Sequence, residues 1–306
     1  MPLLARLVSI SLTLGFWALN NHAYADFTQK LDLQFRFDDR SSRDVRYQYR
    51  VRYYPQYTFN DAWSAHGFAV TGDEFSSSHN TIDDSSADHF YLRRLYARHS
   101  GAYGKTEMGY IPTYKGRISS TGLSKDGWIA GIRHVRQLGT NDQLEVVVGQ
   151  LDNLHPSDAL DSLNDINYIE IEYSARMDKR NSYEFSLERM TDGNFLRTEY
   201  RYRVTEEAVV FAELVKRVDR SRTKVLFGLE SPFRLGDYAF ESFSYYSYVS
   251  EGFGQRADLI EDFLGSGHGI STEISGDFVD STFGWFVRFD LVETRSRLLA
   301  GIKFSL

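Results

Sequence analysis

The sequence predicts an all-β protein whose strands close into a transmembrane antiparallel β-barrel of about 16 strands. Apolar and polar residues alternate with a period of two along most of the chain. The alternating segments are about ten residues long, which is the length of a tilted strand that crosses a bilayer. The connections between them fall into a short and a long class, and the two classes occur on alternate ends of the strands.

The first 25 residues differ from the rest and have the layout of a secretory signal peptide. Arg6 supplies a positive charge, 7–19 is an almost unbroken apolar stretch, and Ala23-Tyr24-Ala25 resembles a cleavage site. A transmembrane anchor helix is the alternative, but it needs about 20 apolar residues. We therefore expect 1–25 to be a signal peptide and 26–306 to be a single barrel domain.

Composition excludes several classes of protein. The 306 residues include no cysteine, so disulfides, thiolate metal sites and a lipid anchor on cysteine are excluded. The formal net charge of −7 gives no support for a nucleic-acid partner, which usually binds a basic domain. The sequence predicts no metal site and no other cofactor.

The alternation itself predicts strands, because successive side chains of a strand point to opposite faces. In 31–37, for example, every odd position is apolar and every even position is polar. The segments with this pattern are 27–38, 43–54, 62–71, 89–99, 103–112, 127–138, 143–151, 166–176, 181–190, 195–204, 207–217, 222–231, 237–248, 267–278, 281–291 and 295–306. Each segment thus has one apolar and one polar face.

Connection lengths favour a membrane barrel over a soluble β-sandwich, which would show the same alternation. The short connections are 99–102, 139–142, 177–181, 205–206 and 279–280, and the long ones are 72–88, 113–126, 152–165 and 249–266. With 16 strands, all the long connections lie at one end and all these short ones at the other. Bacterial outer-membrane barrels have short periplasmic turns and long external loops.

Chain length agrees with 16 strands. Strands of about 11 residues would leave about seven residues for each connection, whereas 22 strands would leave about two. Fourteen strands would also fit if two of the less regular segments are not strands.

The last strand resembles the terminal signal of outer-membrane barrels. Leu298, Ala300, Ile302, Phe304 and Leu306 alternate with other residues up to the end of the chain. This resemblance implies recognition by the barrel-assembly machinery, although the usual last residue is Phe or Trp. A strand that simply closes the sheet would have the same pattern.

The segment 93–109 resembles the Gram-negative porins. It contains an arginine-bearing strand, the turn Gly101-Ala102-Tyr103-Gly104 and a strand that ends in Gly109. In that family, the loop that follows folds into the lumen and narrows it. The resemblance therefore implies that 113–126 is a constriction loop, with Lys115, Arg117 and Lys125 as its candidate charged residues.

Charged residues on the polar faces are the candidate pore lining. The basic ones are Arg36, Arg46, Arg50, Arg52, Arg94, Arg98 and Arg133, and the acidic ones are Glu170, Glu172, Glu184, Glu188 and Glu213. We expect a basic wall that faces an acidic one, which would create a field across the pore. Alternatively, these charges only keep the lumen hydrated.

The predicted function is an outer-membrane porin for passive diffusion of small hydrophilic solutes and ions. Its expected partners are outer-membrane lipid, lipopolysaccharide and small solutes, and association into a homotrimer stays open. The alternatives are a barrel enzyme, a non-conducting structural barrel and a secreted carbohydrate-binding β-sandwich. No histidine occurs in a recognisable nucleophile or zinc motif, so an enzyme is not expected.

Overall fold

The computed structural model describes residues 25–82, 84, 88–113, 123–259, 265–278 and 282–306. The signal-peptide prediction for 1–25 and the loop residues Lys115 and Arg117 lie outside these ranges, except for Ala25. Sixteen long strands and the two-residue strand Asn80–Thr81 make one antiparallel sheet.

The strands follow each other around the sheet in chain order, with each long strand paired to its predecessor. They are β1 (Asp26–Arg40), β2 (Arg43–Thr58), β3 (Trp63–Thr71), β4 (Asn80–Thr81), β5 (Phe90–Gly101), β6 (Gly104–Pro112), β7 (Trp128–Gln137), β8 (Asp142–Gln150), β9 (Tyr168–Arg176), β10 (Asn181–Met190), β11 (Gly193–Arg203), β12 (Val209–Arg217), β13 (Arg222–Leu235), β14 (Tyr238–Val249), β15 (Gly267–Asp277), β16 (Phe283–Val292) and β17 (Arg295–Ser305).

Pairing of the first and last strands closes the barrel. β1 pairs with β17 from Asp32–Ser305 to Arg40–Arg297. The backbone N–H of Leu31 donates to the carbonyl of Leu306 at 3.0 Å, and the reverse bond is 2.9 Å. Closure leaves no long edge strand, so the backbone N–H and C=O groups of the strands bond to each other. Lipid tails could not form these hydrogen bonds. The predicted 16-strand barrel is confirmed.

The long connections all lie at one end of the barrel, which we call the long-loop end. They are 72–89, which contains β4, 113–127, 151–167 and 250–266. Two-residue turns at 41–42, 191–192 and 293–294 and a four-residue turn at 218–221 share this end, whereas no connection at the opposite end exceeds five residues. The predicted sorting is therefore correct.

Two differences from the predicted elements have local causes. β13 continues beyond 231 because Pro232 does not interrupt the sheet. It pairs with Glu241 of β14. β1 continues to Arg40 through a register shift between Asp38 and Arg40, where strict alternation ends.

Among the described residues, no helix is long and apolar enough to cross a membrane.

Candidate functional site: the charged interior

The two faces of the barrel wall differ in chemistry. On β10, Glu184, Ser186 and Glu188 are buried, whereas Phe185 and Leu187 between them are exposed. On β12, likewise, Val210 and Leu214 are exposed, whereas Glu213 and Arg217 are buried. In a membrane this places apolar groups against lipid and ionised groups inside.

Seven carboxylates lie on the inner faces of five adjacent strands, β8 to β12, and we call them the glutamate wall. Its members are Glu145, Glu170, Glu172, Glu184, Glu188, Glu199 and Glu213. Cations lie among them. The guanidinium of Arg197 is 3.1 Å from Glu199 and 3.5 Å from Glu172, and it also contacts Glu184.

Further cations extend this network to both sides. Arg133 lies 2.8 Å from Glu107 and 3.0 Å from Glu145. Lys224 lies 3.3 Å from Glu213. The glutamate wall is therefore a buried ion-pair network, in which each charge lost would leave its partners uncompensated.

Six guanidinium groups lie on the inner side of β1 and β2, and we call them the arginine row: Arg36, Arg40, Arg43, Arg46, Arg50 and Arg52. The carboxylate of Asp38 pairs with the first four, at nitrogen–oxygen distances from 2.7 Å (Arg43) to 3.8 Å (Arg36). The other two lie 3.8 Å and 2.8 Å from Asp126.

The described end of the loop 113–127 lies inside the barrel, beside the arginine row. Arg94 donates to the carbonyl of Gly127 at 2.7 Å and also to that of Lys125. The hydroxyl of Ser78 donates to Asp126. The side chain of Lys125 is exposed. The resemblance to porins implied such an inward position for this loop.

Asp126 is an ionised group within that loop. Burial alone would raise its pKa, but the charges of Arg52 and Arg50 and hydrogen bonds from Arg52 and Ser78 outweigh burial. The pKa of Asp126 therefore lies below its usual value of 3.8.

A second loop enters the interior from the far side, and we call its described part, 250–259, the inserted loop. The guanidinium of Arg256 lies 2.8 Å from Glu188 on β10. Arg217 on β12 donates to the carbonyl of Phe253 at 2.9 Å, and the rings of Phe253 and Phe195 are 5.6 Å apart. These contacts hold the inserted loop against β10 to β12.

The two loops meet inside the barrel. The backbone N–H of Ser124 donates to the carbonyl of Leu259 at 2.8 Å. Because Ser124 belongs to the segment held on β2 and β5, and those strands lie opposite β10 to β12, the contact bridges the barrel. Apolar side chains from the long loops, including Phe75, Leu123 and Leu259, belong to one buried cluster.

The structure places the twelve predicted lining residues on the inner face but distributes them among different surroundings. Arg36, Arg46, Arg50 and Arg52 belong to the arginine row, and all five predicted glutamates to the glutamate wall. Arg94 holds the loop 113–127, Arg133 joins the ion-pair network, and Arg98 lies 2.7 Å from Glu107.

Sequence reasoning missed several inner-face charges. Glu107 and Arg197 continue the alternation of their strands and could have been found from it. Asp38 follows the same alternation but precedes the register shift. Asp126 and Arg256 belong to loops, where no strand pattern predicts the direction of a side chain.

His155 and Ser157, which could suggest a nucleophile pair, form a local turn. His155 Nδ1 lies 2.7 Å from the Ser157 hydroxyl and accepts from the Ser157 backbone N–H at 3.3 Å. This histidine caps the short 3-10 helix Pro156–Asp158. Within the described parts of the chain, no group of three or more His, Asp or Glu side chains is arranged to hold a metal ion.

Comparison with solved structures identifies the architecture. A variant of the porin of Rhodopseudomonas blastica is similar over 92% of this chain and 100% of its own, with a TM-score of 0.66 and 10% sequence identity. The fold is that of the bacterial porin barrels. A triple mutant of the same porin gives a TM-score of 0.64 at 11% identity, with the same coverage.

A second similar structure comes from another organism. A loop deletion mutant of OmpT, an outer membrane protein of Vibrio cholerae, matches 92% of this chain and 99% of its own, with a TM-score of 0.57 and 10% identity. No protein-family model and no curated protein sequence matches the chain. The porin fold expected from 93–109 is confirmed.

Proposed function

We propose that this chain is an outer-membrane channel for passive diffusion of small hydrophilic solutes and ions. The observation that carries the proposal is the closed 16-strand barrel with apolar side chains outside and ionised side chains inside. A barrel of 16 strands is wide enough for an aqueous path, and the groups that line such a path set its selectivity.

The lining residues belong to this proposal. The arginine row, Arg94, Arg98 and Arg133 would form one part of the path, and the glutamate wall the facing part. The similar structures, which include a porin and an outer membrane protein, support an outer-membrane channel.

We further propose the cellular setting that the sequence predicts. A signal peptide, 1–25, would direct export, and the alternating last strand would be recognised by the assembly machinery. Lipid would contact the apolar outer face, and lipopolysaccharide would surround the long-loop end. The closed barrel excludes the β-sandwich alternative.

The experiment is ion conductance of the purified chain. Protein without 1–25, refolded in detergent and added to a planar lipid bilayer, should produce stepwise current increases in potassium chloride. Protein that inserts, as shown by resistance to urea extraction from vesicles, but gives no current would be a structural barrel. Hydrolysis of phospholipid or peptide by such a preparation would instead support the enzyme alternative.

A further inference from the structure

The two charged walls differ in their contact with water. The side chains of the arginine row are between 11% and 32% exposed. The residues of the glutamate wall are at most 5% exposed. A solute between these two walls would therefore meet the guanidinium groups of the arginine row before the carboxylates of the glutamate wall.

Cations and the inserted loop cover the glutamate wall. Arg197 lies among Glu172, Glu184, Glu199 and Glu213 at its centre. Arg256 belongs to the inserted loop and forms an ion pair with Glu188. These cations offset part of the negative charge of the wall, and burial separates its carboxylates from the solvent.

The arginine row has the opposite arrangement. Six guanidinium groups surround the carboxylates of Asp38 and Asp126, so that cations outnumber these anions. Arg40 and Arg43 lie at the long-loop end of the barrel, and Arg50 and Arg52 lie further inside on β2. Alternate residues of a strand are about 7 Å apart, so a small ion can pass from one guanidinium to the next.

His79, in the loop 72–89, lies beside this row. Burial, followed by the positive charges of Arg50 and Arg36, holds the pKa of His79 well below its usual value. Its ring lies 3.1 Å from the side-chain oxygen of Gln34. Burial is the largest cause of this lowering, and the positive charges of the row add to it.

We infer that the channel prefers small anions, and that the arginine row is the path along which they pass. The chemical class is a small solute with a carboxylate or phosphate group, because guanidinium binds both with paired hydrogen bonds. This inference rests on the proposed function. It runs against the net charge of the chain, −7, because selectivity follows the charges in contact with the lumen.

The test is the zero-current potential of the channel in a bilayer that separates two concentrations of potassium chloride. These two ions have similar mobilities in water, so the sign of the potential gives the preference directly. We expect the sign of chloride selectivity. A potential of zero or of the opposite sign in a conducting channel overturns the inference and leaves the proposed function intact.

Two variants locate the preference. Arg50→Gln and Arg46→Gln should each lower the chloride-to-potassium permeability ratio about tenfold, because one unit charge at about 6 Å in water changes the permeability of each ion about threefold, in opposite directions. Arg220→Gln, an equal charge change at an exposed turn of the same barrel end, should leave the ratio unchanged. Equal effects of all three variants would show that the arginine row is not the path.

The controls separate the two proposals. Absence of current from inserted wild-type protein contradicts the channel itself. If Arg50→Gln fails to refold, addition of sulfate to the wild-type channel replaces it, because a divalent anion held by the arginine row should reduce the chloride current. A chloride current unaffected by sulfate would overturn the inference.

Discussion

Arg197 lies among four buried carboxylates on strands β9 to β12. Glu199 and Glu213 are almost fully inaccessible, as is Arg197 itself. Burial of a charge without a partner costs several kcal/mol, so these side chains depend on each other.

Replacement of this cation should destabilise the barrel more than loss of a surface cation. We expect Arg197→Ala to lower the free energy of unfolding by about 3–5 kcal/mol, because it leaves several buried carboxylates uncompensated. Urea unfolding in lipid vesicles measures the effect. Arg220→Ala, at an exposed position, should change stability very little, and similar values for both variants would contradict the network.

A second prediction at this scale concerns pH. Because the folded pKa of Asp126 lies below 3.8, ionised Asp126 contributes stability that is complete above its unfolded pKa. That contribution is lost as the pH falls through the folded value. Wild-type protein should therefore exceed Asp126→Asn in unfolding free energy at about pH 7, and the difference should shrink below about pH 4. An unchanged difference at about pH 3 would show that the charge of Asp126 contributes no stability.

At the scale of elements, the inserted loop places a cation and apolar side chains against the inner face of the strands. It begins where β14 ends, and Gly254 passes so close to Arg217 and Asp192 that a Cβ atom at 254 would contact both side chains. Gly254 also has φ of +92°, which favours glycine. The path of this loop therefore depends on the backbone conformation at Gly254 as well as on the ion pair of Arg256 with Glu188.

Loss of the Arg256 charge should both widen the channel and alter its selectivity. Arg256→Ala removes the contact with Glu188 and exposes that carboxylate, so we expect a larger single-channel conductance and a chloride-to-potassium permeability ratio lowered about tenfold. Glu188→Ala is the matched control, since it removes the same contact and leaves a positive instead of a negative charge. It should raise conductance and shift the selectivity toward chloride. A conductance unchanged in both variants would show that the inserted loop does not narrow the path.

At the scale of the whole molecule, the proposed channel depends on contact between the outer face and lipid. Val287 lies near the middle of β16 and is exposed on that face. We expect Val287→Arg to destabilise the inserted barrel by about 2–4 kcal/mol, as for a cation at the middle of the bilayer.

The measurement is unfolding from vesicles, with Val218→Arg as the control. Val218 is also exposed but lies in the turn between β12 and β13, where a cation remains in water. Equal stability of the two variants would mean that the outer face does not contact the lipid core.

The sequence predicted the strands because period-two alternation is a local property of the chain. Each predicted segment corresponds to a long strand, and the connection lengths gave the correct distribution between the two ends. β4 was missed because two residues, Asn80 and Thr81, are too few to show a pattern.

The sequence by itself determined the barrel and the inner face of each strand, since both follow from local alternation and chain length. Only the tertiary structure decided how the charges meet. The contacts of Arg256 with Glu188 and of Asp126 with Arg52 join residues 68 and 74 positions apart. Such contacts depend on the path of loops through a closed barrel, and loop sequences carry no periodic pattern from which that path could be predicted.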